Sequence, residues 1–160
     1  MALYYRIMSE KYHQQPYSCS MFGARWNPKG FSMIYAANTA SLAALEYLCI
    51  KGTSVLHEAW YMLTFEIKNE DLIGTLELDS LPANWDVLPH GKVTQEFGKQ
   101  WLQEKSFPFL KVPTARMPVS LYPGEHNLLI NPMFSDIQEN FVFRDSKMFA
   151  NKLGSNVLRA

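Results

Sequence analysis

Residues 23–46 read Gly23-Ala24-Arg25-Trp26-Asn27-Pro28-Lys29-Gly30, then Phe31-Ser32-Met33-Ile34-Tyr35-Ala36-Ala37, then Asn38-Thr39-Ala40-Ser41-Leu42-Ala43-Ala44-Leu45-Glu46. The first part is loop. Two glycines, an Asn-Pro pair and two cations leave little room for a regular element. The second part places Phe31, Met33 and Tyr35 on one side, which predicts a short strand. The third part predicts a helix, with Asn38 or Thr39 as its cap, Ala and Leu in its body, and Gly52 stopping it after Lys51.

Glu46 is the informative residue of that helix. Its neighbours three and four positions away are Leu42, Ala43, Cys49 and Ile50, all apolar. An unpaired carboxylate on such a face is costly. Either it has a cationic or hydrogen-bonding partner, or its pKa is raised, or the helix end borders a cleft. The plain alternative is a glutamate that reaches water past small Ala43. Arg25 is the natural partner to consider. A guanidinium between glycines, with exposed backbone amides nearby, suits a phosphate or a carboxylate. Its structural alternative is stacking on Trp26 or pairing with an acid.

The 160-residue chain as a whole sets bounds on these readings. Hydrophobic content of 48% and aromatic content of 14% indicate one domain, 1–160, with a real core, and exclude disorder. Fifteen Lys and Arg balance fifteen Asp and Glu, which argues against nucleic-acid binding through bulk charge. The two cysteines form no disulfide framework, and Cys49 reads as core packing. His13, His57, His90 and His126 lack zinc spacing. The start shows no signal-like segment, and no apolar run approaches ~20 residues, so a cytoplasmic protein without a membrane span is expected.

Strands are predicted at Leu3–Met8, Trp60–Ile67, Leu72–Leu78, Phe109–Val112, Asn127–Asn131 and Phe141–Arg144. The first carries Arg6, which either faces a cleft or caps the sheet. The clearest, Trp60–Ile67, sets Tyr61, Leu63, Phe65 and Ile67 on one side. A second helix is predicted from about Thr94 to Glu104, with Phe97, Trp101 and Leu102 inward. Tyr12 and Tyr17 are candidate lid aromatics, and Trp85 anchors the turn that begins at Leu81. Pro113 and Pro118 hold Thr114 extended. The tail after about residue 147 is expected to be loosely ordered. The class is α+β: a single domain of mixed short-stranded sheets with flanking helices.

The run from Gly23 to Glu46 has companions: Tyr5-Arg6-Ile7, Leu81-Pro82-Ala83-Asn84-Trp85, Trp101-Leu102, Val112-Pro113-Thr114-Ala115 and Asn127-Leu128-Leu129-Ile130-Asn131-Pro132. In order and spacing they resemble the RES-domain toxins of RES–Xre toxin–antitoxin pairs, over nearly the whole chain. That resemblance implies a fold related to the ADP-ribosyltransferases (diphtheria-toxin-like) and NAD+ as substrate, with no cofactor and no metal. It implies cleavage of the nicotinamide–ribose bond that depletes cellular NAD+, by a glycohydrolase or a phosphorylase. The alternative is mono-ADP-ribosylation of a host protein through the same site. A silent module that only docks its antitoxin is a third reading, and intact Arg25, Tyr35 and Glu46 count against it. The implied catalytic residues are Glu46, Arg25, Tyr35 and Thr114. Arg25 and Tyr35, with Arg6, Trp26, Asn27 and Lys29, would bind the substrate. The implied partner is a cognate Xre-type helix-turn-helix antitoxin, with DNA contacted only through it and a homodimer allowed within the complex.

The chemistry suits these residue types. Nicotinamide leaves from a cation and needs no general acid. What helps is a carboxylate beside the ribose, where positive charge develops. A forked cation suits the diphosphate, and an aromatic suits the nicotinamide or its ribose. Two departures from the family pattern stand out. Thr114 replaces the family's Ser, keeping the hydroxyl and stiffening χ1. Cys49-Ile50 stands where the family tends to carry His, a change for which we have no physical account.

Overall fold

The computed structural model describes residues 1–149. Seven strands form one sheet: β1 (Ala2–Ser9), β2 (Ile34–Ala37), β3 (Trp60–Ile67), β4 (Ile73–Thr75), β5 (Phe109–Val112), β6 (Asn127–Ile130) and β7 (Phe141–Met148). Their order is β4-β5-β6-β2-β1-β3-β7. Three helices accompany them: α1 (Ala40–Lys51), α2 (Lys92–Glu104) and the short α3 (Ile137–Asn140). Every pairing is antiparallel except β4 with β5, where α2 carries the chain across to a parallel neighbour.

Short strands and strong twist curl the sheet. Phe109 on β5 and Phe141 on β7 are far apart in strand order, yet their ring centroids lie 5.9 Å apart. The concave side is the main core. Leu63, Phe65 and Ile67 of β3 meet Tyr4, Ile34, Ala36, Leu128, Ile130 and Phe141 there, as the alternation in 60–67 predicts. Each such side chain contributes roughly 1.5–3 kcal/mol on full burial.

The opposite face carries the two long helices. Leu42 and Ala43 of α1 cover Tyr5, Ala37 and Met62. Trp101 and Leu102 of α2 cover Leu110, Val112 and Leu129. Trp101 is core, as its place on the helix edge predicts. A cleft opens beside α1, between that helix and residues 23–27, with Tyr5, Ile7, Tyr35 and Ala37 of the sheet in its lining.

Several boundaries differ from expectation. Phe31–Met33 is not strand, and pairing begins at Ile34. Phe31, Met33 and Tyr35 still share a side, packed with Trp26 and Trp101. The strand expected over 72–78 ends at Thr75, between 3-10 turns at Glu70–Leu72 and Leu78–Ser80. β7 runs past Arg144 to Met148 because β3 offers it a full-length partner. The loose tail is expected after about residue 147, but Met148 still pairs in β7 and the Phe149 N–H donates to the Trp60 carbonyl at 2.7 Å; the rest of that expectation falls on residues 150–160, outside the described residues.

Cys49 is exposed rather than packed, because no described residue encloses that side of α1. Tyr17 is no lid. Its hydroxyl donates to the Phe141 carbonyl at 2.9 Å, and its ring sits edge-on to Phe65 and Phe141. Tyr12 is exposed. Among the described residues, no helix is long and apolar enough to cross a membrane.

Candidate active site

Helix α1 is placed by its ends. The Thr39 hydroxyl accepts from the Leu42 N–H at 3.1 Å, so Thr39 is the cap. Asn38 has another job. It donates to the Gly124 carbonyl at 2.6 Å and accepts from the His126 N–H at 3.0 Å, tying the start of α1 to the entry of β6. Gly52, at φ 53°, ends the helix.

This places Glu46 against the adjoining ends of β5 and β6. Its Oε1 accepts from the Thr114 hydroxyl at 2.5 Å and from Asn127 Nδ2 at 2.7 Å. Arg116 Nε lies 3.6 Å from its Oε2. The first of the sequence alternatives therefore holds: the carboxylate has both hydrogen-bonding and cationic partners, and it also borders a cleft. Its neighbours Cys49 and Ile50 are exposed, so that side of the helix is not a buried apolar face.

Asn127 and Arg116 are the residues that sequence reasoning missed. The β5–β6 register pairs Val112 with Asn127, so Asn127 stands two residues from Thr114 across the ladder. Arg116 is aimed by its own backbone, whose N–H donates to Thr114 Oγ1 at 3.1 Å. The signals available in the sequence were the proximity of Arg116 to Thr114 and the place of Asn127 at the head of one of the stretches that carry the family resemblance.

The 23–30 loop forms the wall facing Glu46. The Tyr35 hydroxyl donates to Asn27 Oδ1 at 2.5 Å and accepts from the Trp26 N–H at 3.2 Å. Asn27 Nδ2 donates to the Phe31 carbonyl at 2.7 Å. Burial pushes the Tyr35 phenol well above its ordinary pKa, so it stays protonated and keeps donating. Helix α2 braces the loop from behind. Gln95 Nε2 donates to the Ala24 carbonyl at 3.0 Å. At Gly98 the helix comes so close that a Cβ would stand 1.6 Å from the Trp26 carbonyl oxygen.

Arg25 sits at the cleft with one nitrogen committed. Its Nη1 donates to the carbonyls of Trp85 at 2.5 Å and Val87 at 3.1 Å. Trp85 thus anchors its turn, stacked near Trp26. Burial lowers the Arg25 pKa, and the charge of Arg116 lowers it further.

Of the two roles expected of Arg6, the structure shows the first: it lines the cleft, and it also holds the loop that follows β1 through the carbonyls of Pro16 at 2.7 Å and Ser18 at 3.1 Å. Burial brings its pKa down to about 10. Trp26 and Asn27 are buried and line the same cleft. Lys29 is exposed and lies outside the cleft lining.

The cleft measures about 470 Å³. That falls in the range of small-molecule sites, roughly 300–1,000 Å³. It combines a fixed carboxylate, two arginines with donors to spare, and aromatic walls. Such a site can bind an anionic ligand and present a carboxylate to a developing cation.

A single α+β domain with a carboxylate fixed in a cationic, aromatic-walled cleft is the class that fold and site define. The chain belongs to the RES domain family, whose model matches residues 3–147. Toxin Res of Yersinia enterocolitica is 35% identical over 138 residues, covering 84% of this chain and 86% of that protein. The Prs ADP-ribosylating toxin of a Sphingobium strain is 35% identical over 117 residues, covering 71% and 69%. The toxin–antitoxin complex of M. tuberculosis MbcT and MbcA contains a chain of the same fold. Its TM-score is 0.67 over 93% of this chain and 84% of that one, at 17% identity. That fold is consistent with the ADP-ribosyltransferase-like architecture implied by the sequence resemblance.

Proposed function

We propose that this protein is the toxin of a toxin–antitoxin pair and cleaves the nicotinamide–ribose bond of NAD+. The observation that carries the reading is the Glu46 carboxylate. Thr114 and Asn127 fix its Oε1, and its Oε2 receives neither bond. A carboxylate preorganised in this way stabilises an oxocarbenium-like ribose without reorganising during the reaction. Oε2 is the oxygen to grip a ribose hydroxyl. Arg25 and Arg116 serve the diphosphate, and the Tyr35 ring flanks the nicotinamide end. The pyridinium leaves as neutral nicotinamide, so no acid is required.

The acceptor is either solvent-borne, water or phosphate, or a protein side chain. The Sphingobium relative, named as an ADP-ribosylating toxin, favours keeping protein transfer as the second reading. The fold shared with a toxin–antitoxin complex supports an antitoxin partner. We infer that this partner is of the Xre type and carries any DNA contact. An inhibitor segment with a carboxylate could pair with Arg25 and Arg6 and occupy the diphosphate position.

The test is incubation of the purified protein with NAD+ labelled in the adenosine half. Free nicotinamide with ADP-ribose or its phosphate supports cleavage, and labelled protein supports transfer. Unchanged NAD+ with wild type, or equal consumption by Glu46→Gln, refutes the reading.

A further inference from the structure

Arg116 is a residue to which neither the family resemblance nor the relatives' names give a part. We propose that its guanidinium is a substrate-displaced cap on Glu46, and that it makes the site selective for diphosphate-bearing nicotinamide nucleotides over phosphate-free nicotinamide riboside. This rests on the NAD+ reading of the site.

The three cleft arginines differ in their commitments. Arg6 gives two nitrogens to the carbonyls of Pro16 and Ser18. Arg25 gives Nη1 to the carbonyls of Trp85 and Val87. The contact that the Arg116 side chain makes with Glu46 is an ion pair at 3.6 Å, longer than a hydrogen bond. The two side chains are 19% and 22% exposed. Both residues line the cleft and no hydrogen bond holds the pair, so an anion bound there competes directly for Arg116. The backbone of Arg116 is fixed to Thr114, so the side chain can swing while its root stays still.

The pair covers Oε2, the carboxylate oxygen that Thr114 and Asn127 leave free. The oxygen needed at the ribose is therefore paired with a cation. Arg25 stands close enough for the Arg116 charge to lower its pKa. This crowding of like charge at the cleft favours an incoming anion. A diphosphate offers more acceptors and more charge than Oε2, in a geometry that suits guanidinium forks. Bound between Arg25 and Arg116, it draws Arg116 away and uncovers Oε2. A ligand without phosphate leaves the cap in place. Binding energy from the remote end of the substrate is thus spent at the reacting end.

Calorimetric titration with ADP tests this without turnover, on wild type, Glu46→Gln, Arg116→Met and the double variant. The cap predicts that Glu46→Gln tightens ADP binding by about two- to fivefold, because the carboxylate no longer competes for Arg116. In the Arg116→Met background the same change should have no such effect. An equal effect in both backgrounds means a general charge effect and overturns the cap, as does no effect in either or no ADP binding at all. Arg116→Gln repeats the cycle in case the Met variant folds poorly.

Turnover supplies the second readout. Arg116→Met should narrow the ratio of kcat/KM for NAD+ to that for nicotinamide riboside, raising riboside cleavage, while Arg116→Lys keeps most of the selectivity. Equal losses on both substrates overturn the proposal. If ADP shows the coupling but NAD+ is never cleaved, the reaction is wrong and the cap stands. If NAD+ is cleaved and the coupling is missing, the cap alone falls.

Discussion

Thr114→Val removes one hydroxyl from the centre of the site and keeps the shape of the side chain. Thr114 is 3% exposed and donates to Glu46 Oε1 at 2.5 Å. A hydrogen bond to a charged group contributes about 1.5–3 kcal/mol. Glu46 keeps Asn127, and its side chain is 22% exposed, so water can partly replace the lost donor. The lower end, about 1.5 kcal/mol, is the reasonable value for stability. For a domain of this size that lowers Tm by about 3–6 °C. The Arg116 N–H loses its acceptor as well, which adds to the cost.

The effect on turnover should be larger than that on stability. If about 1.5–3 kcal/mol of the bond is realised at the transition state, kcat for NAD+ falls roughly 10- to 100-fold. Thr114→Ser restores the hydroxyl and should stay near wild type. The assay pairs thermal melts with nicotinamide release for wild type, Ser and Val variants. A Val variant within about twofold of wild type in kcat would refute the claim that this bond holds a catalytic carboxylate.

Gly98→Ala should destabilise the protein despite the higher helix propensity of alanine, worth about 1 kcal/mol. The new methyl meets the Trp26 carbonyl, so α2 or the 23–30 loop must move, and activity should fall with Tm in melts and NAD+ assays. Arg25→Lys should not rescue Arg25→Ala in NAD+ turnover, because a point charge cannot bond the Trp85 and Val87 carbonyls and still present a planar fork to a diphosphate; near-wild-type kcat/KM for the Lys variant would count against that role. His126 should make stability depend on pH. Burial brings its pKa down from 6.5 to about 4, so between those values the unfolded chain takes a proton that the native protein refuses, and stability falls as pH falls through that window. Denaturant melts at several pH values should show this slope, and His126→Asn should lessen it.

Local pattern in the chain determined the elements. The alternation in Trp60–Ile67 and the short stretch Phe109–Val112 are strands with those bounds, and α1 closes at Gly52 with Thr39, one of the two caps the sequence offered, at its start. Caps, turn glycines and periodicity act over a few residues, so a reader of the chain can weigh them directly. Glu46, Arg25, Tyr35 and Thr114 were legible as candidates in the same way, through residue type and near neighbours.

Tertiary structure decided what those residues meet. The partners of Glu46 lie 68 and 81 positions downstream, and strand register brings Asn127 beside the end of β5. It also decided that Cys49 faces solvent, that Lys29 stays outside the cleft, and that Arg25 shares its donors with the Trp85 turn. A period of 2 or 3.6 residues tells which side of an element is apolar, but not which element will cover it. Because a sheet curled until β5 nears β7 sets those meetings all at once, the surroundings of the carboxylate exist only in the folded chain.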